Sequence, residues 1–113
     1  MPSKDGAALF YDIYAAIGRM LRFTSGLDKA AFLANDEKCY AVLAQLIIIG
    51  EAASRLADET REASPQIPWR QMIGTRNRVV HGYDAVDWDI VWDIVTIHGP
   101  ALKIDIGKIL GLE

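Results

Sequence analysis

The sequence predicts an all-α fold, an up-and-down bundle of four main helices with short helical pieces between them. Three observations carry this. Apolar residues recur at spacings of three and four along most of the chain. Ser25-Gly26, the loop with Pro65 and Pro68, Gly82 and Gly99-Pro100 divide those segments from one another. No stretch shows a convincing strand, with the two-residue alternation that a half-buried strand needs. The chain has 113 residues, 51% of them hydrophobic, so one compact domain over residues 1–113 can bury a core.

The first helix is expected over residues 5–24, where Leu9, Ile13, Ile17, Met20 and Leu21 share a face. Asp12, Arg19 and Arg22 fall largely away from it. Ser25-Gly26 ends the segment, and Gly26 suits a left-handed terminal position. A short helical piece follows at residues 28–34. Asn35 then has the character of an N-cap, with Asp36 and Glu37 in the first turn, where carboxylates meet the positive helix end. The helix it opens is expected to run to about residue 62.

The middle of that helix, residues 41–50, is apolar nearly all round. A surface helix needs only one apolar stripe, and a small domain has too little bulk to cover every side. One face is therefore expected in the core and another against a second copy, as a homodimer. A central helix in a monomer is the alternative. Gly50 permits close approach of a neighbouring helix, although glycine costs about 1 kcal/mol in a helix interior.

Ser64-Pro65-Gln66-Ile67-Pro68 is a loop, because two prolines in four residues forbid a helix. Pro68 suits the start of the next helix, expected over residues 69–81 and stopped by Gly82. A last helix opens near Asp87 with Trp88, Val91, Trp92 and Val95 on one face. Gly99-Pro100 is expected to kink or split it, and Leu102, Ile106, Ile109 and Leu110 carry the stripe to the end.

The formal net charge of −3 excludes a globally basic nucleic-acid footprint. Arg61, Arg70, Arg76 and Arg78 form a local basic candidate, although a solvated surface of mixed charge is the commoner meaning of such spacing. The longest unbroken apolar run is residues 46–49, far short of the roughly 20 residues that span a bilayer. With no signal-peptide pattern and a single cysteine, Cys39, the expected setting is the cytoplasm. Cys39, His81 and His98 lack zinc-ligand spacing, Asp89 and Asp93 suit a solvated face, and no phosphate-binding glycine loop is present. No metal or cofactor is expected. Trp88 and Trp92 suit the core better than a base-stacking platform.

The chemistry concentrates in Arg76-Asn77-Arg78-Val79-Val80-His81-Gly82-Tyr83. Residues of a helix advance by about 100° each, so Trp69, Met72, Ile73, Arg76 and Val80 share a face, with Asn77 and His81 stacked beside it. About 140° separates Arg76 from His81 on a straight helix. The arginine is long and the helix frays at Gly82, so both groups can still reach one phosphate-sized ligand. An arginine on an inward stripe needs a partner or a cleft. A histidine can act as acid or base near neutral pH, and a guanidinium fork fits phosphate oxygens. The pair suits RNA cleavage by the 2′-hydroxyl. From the residues alone, the commoner meaning of Arg76, Arg78 and His81 at a helix end is only to complement the helix dipole. Glu51, on a face with Ala44, Ile47 and Ile48, can pair with Arg76, orient His81, or pair with Arg55 within its own helix.

From residue 32 to residue 110 the chain resembles the HepT-like branch of the HEPN superfamily. The residues that carry the likeness are Ile49-Gly50-Glu51-Ala52, Pro68-Trp69, the stretch from Arg76 to Tyr83, Val86-Asp87 and Ile90-Val91-Trp92. The Arg-x4-His pattern alone is unspecific; its combination with Gly-Glu-Ala upstream and Gly-Tyr downstream is specific. The resemblance implies a HEPN-like bundle that dimerises, bringing two motifs together in a cleft. It implies a metal-independent endoribonuclease toxin whose catalytic pair is Arg76 and His81, with Asn77 beside them; Arg78 and Glu51 are supporting candidates beside what the resemblance implies. It also implies a minimal nucleotidyltransferase antitoxin as partner, able to transfer AMP to Tyr83. A catalytically silent HEPN subunit that presents substrate to such a partner is the alternative; a purely structural dimerisation module is a third class.

Overall fold

A computed structural model describes residues 3–82 and 86–113, leaving aside the Val80 side chain. The first long helix, α1 (Lys4–Thr24), opens under Ser3, whose side chain accepts the Gly6 N–H at 3.0 Å. Phe10, Ile13, Ala16, Ile17 and Met20 form its buried stripe. It stops at Ser25, and Gly26 follows at φ +77°, the left-handed conformation glycine adopts without a Cβ penalty. The short α2 (Lys29–Leu33) is capped by Asp28 and drops Phe32 fully into the core, where its ring meets Trp92 at 5.2 Å.

The second long helix, α3 (Asp36–Arg55), starts as predicted under Asn35, which accepts the Lys38 N–H at 3.1 Å. It ends seven residues before the expected limit. Leu56 and Ala57 are extended, and a separate short helix, α4 (Asp58–Glu62), follows. The break lets Leu56 turn into the core at 4% exposure. Arg61 reaches back to the carbonyls this frees, donating to Ala53 O at 2.9 Å and Ser54 O at 3.4 Å, and it also pairs with Asp58. No glycine or proline marks this break, so periodicity runs through it.

The third long helix, α5 (Trp69–His81), has the predicted bounds. After it come α6 (Trp88–Asp93), capped by Asp87, a wide turn (Ile94–His98) and α7 (Gly99–Ile109). The expected break at Gly99-Pro100 is absorbed without loss of helical structure. Proline has no N–H to donate and its ring collides with the preceding turn. The turn before it widens, so that the Gly99 N–H reaches Ile94 O, five residues back. Trp88 and Trp92 are half-buried, Trp88 edge-on to Tyr40 at 5.7 Å. Among the described residues there is no strand, and no helix is long and apolar enough to cross a membrane.

Helix α3 packs against α1 and against α5, while α1 also packs against α7. This order leaves one side of α3 outward: Ala44, Ile48 and Glu51 are exposed and Ile47 is half-buried. Cys39 faces the other way, 5% exposed, its thiol donating to Phe32 O at 3.2 Å. Burial pushes that thiol above its ordinary pKa, and Asp36 adds to the effect. A raised thiol pKa means less reactive thiolate at neutral pH. Native protein is therefore expected to react with maleimide about a hundredfold or more slowly than denatured protein. Equal labelling rates would show that Cys39 is not in this core.

Candidate active site

The site begins with how α5 is held. Trp69 donates its indole N–H to Arg61 O at 3.0 Å and Ser64 O at 3.1 Å, and its ring meets Phe10 at 6.1 Å. The start of α5 is thus tied to the loop before it and to α1. Further along, between Met72 and Arg76, α5 crosses α3 at Gly50. A Cβ built there would lie 2.3 Å from Arg76 Cβ and 2.8 Å from Met72 O. Only glycine permits that approach, because both numbers are below any real van der Waals contact.

The close crossing delivers Arg76 to Glu51, the residue after Gly50. Arg76 Nη2 lies 2.9 Å from Glu51 Oε2, and Nη1 donates to Asn77 Oδ1 at 3.0 Å. The predicted alternative pairing of Glu51 with Arg55 is not the one formed. The two side chains are 33% and 47% exposed, so the pair is water-screened and contributes at most about 1 kcal/mol to stability. Its consequence is orientation: two anchors fix the plane of a guanidinium whose root is pinned on Gly50. Asn77 spends its carbonyl on Arg76, which leaves its amide N–H groups free to donate outward. Among the described residues Arg76 Nε is buried without a hydrogen-bond partner. An unsatisfied buried donor costs about 1–3 kcal/mol, so this arginine is poorly explained as a stabilising residue.

Arg76, Asn77 and Glu51 are thus brought together. His81 is the last residue of α5, exposed, and among the described residues it makes no hydrogen bond or ion pair with those three. Its main-chain end is closed by Gly82, whose N–H reaches Arg78 O and Val79 O. Arg78 faces away from the cluster: with Thr75 and Val79 it lines a small cleft closed by Val86, Ile90 and Ile94. Val79 is 5% exposed on that side. The basic stretch read from Arg61, Arg70, Arg76 and Arg78 is not one surface, because Arg61 is turned back onto the end of α3. Tyr83, the predicted modification site, lies outside the described residues. Among those residues no group of three or more His, Cys, Asp or Glu side chains could hold a metal ion, and Asp89 is paired with Lys29 at 3.0 Å.

Sequence reasoning missed Trp69 as an anchor. Its two hydrogen bonds are to main-chain carbonyls, and no residue pattern announces those.

The family model described as "Ribonuclease HepT-like" matches residues 13–109. A protein of Methanocaldococcus jannaschii named "Putative RNase MJ1380" is 35% identical over 106 residues, covering 94% of this chain and 97% of the relative. Another from the same organism, "Putative RNase MJ0125", is 34% identical, covering 97% and 95%. "Probable ribonuclease HepT" of Thermococcus cleftensis is 35% identical over 92 residues, covering 81% and 84%. No solved structure matches.

Proposed function

The chain belongs to the HepT-like ribonuclease family, and from that premise we propose that it is a metal-independent endoribonuclease, the toxin of a prokaryotic toxin–antitoxin pair acting in the cytoplasm. The observation that carries the reading is the Arg76 guanidinium, held by Glu51 at 2.9 Å and Asn77 at 3.0 Å, five residues before His81 on the same helix. A paired but half-exposed guanidinium keeps N–H donors for phosphate oxygens and for the charge that grows on them in the transition state.

In the proposed reaction the 2′-oxygen of RNA attacks the adjacent phosphorus and the bond to the 5′-oxygen breaks. One product ends in a 2′,3′-cyclic phosphate, the other in a 5′-hydroxyl. A neutral imidazole takes the 2′-hydroxyl proton, and a protonated one gives a proton to the leaving 5′-oxygen. Each chain has one His81, so the two roles need two copies. The outward stripe of Ala44, Ile47 and Ile48 beside Glu51 supports a homodimer through α3, which would place two motifs in one cleft. Transfer of AMP to Tyr83 by a minimal nucleotidyltransferase antitoxin would set a bulky anion two residues from His81 and repel the RNA phosphate.

One observation favours the other reading, a catalytically silent subunit that presents substrate to such a partner: within one chain His81 makes no hydrogen bond or ion pair with Arg76, Asn77 or Glu51. Inducible expression of the chain alone separates the two. The toxin reading expects growth arrest, relieved by His81→Ala. Harmless expression, with no RNA cleaved by the unmodified protein, would select the silent subunit.

A further inference from the structure

We propose that the groove between α1 and α7 is a second RNA contact, one that holds the phosphodiester backbone without cleaving it. The identity of the anion rests on the ribonuclease reading; the anion site itself rests on the groove.

The groove has a volume of about 670 Å³ and is lined by Tyr14, Gly18, Arg19, Arg22, Ser25 and Lys103, among others. Three of these are cations. Arg22 Nη1 and Lys103 Cε come within 3.7 and 4.0 Å of the point a Gly18 Cβ would occupy. Two cationic side chains from different helices thus lie over one glycine. Arg19 is held beside them by a neutral acceptor, Gln45 Oε1, at 2.9 Å, and Gln45 is 8% exposed. That contact orients the guanidinium without neutralising it. Lys103 Nζ stands 5.2 Å from the Tyr14 ring centre. Among the described residues none of the three cations is in an ion pair with a carboxylate.

A chain of net charge −3 has acids enough to pair these groups and does not. Like charges brought together repel, and a bound anion reverses the sign of that energy. The groove runs along α1 from Tyr14 to Ser25, about 16 Å at 1.5 Å per residue. That length accommodates more than one phosphate of a single strand, whose consecutive phosphates stand further apart than the roughly 3.4 Å rise per nucleotide of a stacked helix. The Tyr14 end is bordered by the Glu113 carboxylate, which the Tyr14 hydroxyl meets at 3.4 Å. The strand is therefore expected over Arg19, Arg22 and Lys103. Because α3 packs between α1 and α5, only an RNA long enough to reach around the bundle can use both sites.

The test is anisotropy of a labelled single-stranded RNA on the full chain carrying His81→Ala, titrated over a range of salt. Adding Arg22→Gln with Lys103→Gln removes two cations. The slope of log Kd against log salt should fall by about 1.4, and affinity at physiological salt by about tenfold. Gly18→Glu puts a carboxylate between Arg22 and Lys103 in a residue with better helix propensity than glycine, and it should weaken binding likewise. In the otherwise wild-type chain, Arg22→Gln with Lys103→Gln should raise KM for long RNA, leave kcat unchanged and leave a dinucleotide substrate unaffected. Unchanged affinity and slope in both variants would overturn the groove, as would an RNA that does not bind at all. Groove-dependent binding without cleavage by the wild type would leave the site standing and sink the ribonuclease reading instead.

Discussion

Gly50→Ala is expected to lower the melting temperature by up to roughly 8 °C, with activity falling further than stability. A Cβ at position 50 would sit 2.3 Å from Arg76 Cβ and 2.8 Å from Met72 O. The second of these atoms is main chain, so no side-chain rotation relieves the overlap and α5 must shift as a body. Overpacking of this kind costs about 1–3 kcal/mol, against which alanine recovers up to about 1 kcal/mol of helix propensity. In a domain of this size about 1 kcal/mol is roughly 4 °C. Any shift of α5 also carries Arg76 away from Glu51, and displacement of a catalytic group by about 1 Å can cost on the order of a hundredfold in rate. Gly74 on α5 is the control, with nothing within 4 Å of its Cβ position. Gly74→Ala should be neutral or stabilising by up to about 1 kcal/mol. Thermal unfolding by circular dichroism checks both; a Gly50→Ala protein as stable as the wild type would show that the helices do not cross so closely.

The second large effect is on cleavage. His81→Ala removes the proposed proton-transfer group and should lower kcat by about 10²–10⁴-fold. Arg76→Met should lower it by about 10²–10³-fold. Methionine keeps an unbranched stem for the contact with Gly50 while removing the guanidinium and its unsatisfied Nε donor. Its melting temperature should stay close to wild type, which separates a chemical role from a structural one. Glu51 is half-exposed and is solvated once its partner is gone. A large loss of stability in Arg76→Met with activity retained in the folded fraction would reverse the assignment.

Much of this site was legible because helix ends and glycines announce themselves. Asn35 caps the helix its side chain predicts, Asp28 and Asp87 stand at the predicted starts of theirs, and Pro68 and Gly82 bracket α5. The closeness at Gly50 also followed from one residue type in an apolar helix. The break at Leu56 was not legible, because it is enforced by Arg61 bonding carbonyls seven and eight residues back and by burial of Leu56, both tertiary. Nor was the wide turn at Ile94–His98: Pro100 predicts a disturbance but not how the preceding turn absorbs it. The choice of Glu51 between Arg76 and Arg55 stayed open in the sequence because both partners are within reach on a helical wheel; the crossing at Gly50 settles the pairing. The convergence of Arg22 and Lys103 was hidden for the same reason, since it needs α1 and α7 side by side.

Arg76 and His81 are proposed to cleave RNA without a metal ion. The direct measurement is incubation of purified wild-type and His81→Ala protein with RNA in excess EDTA, with analysis of the product ends. Cleavage by the wild type is expected, giving 2′,3′-cyclic phosphate and 5′-hydroxyl ends, with near-complete loss in His81→Ala. Equal cleavage by the two proteins, or cleavage by the wild type only when a divalent metal is restored, would contradict it.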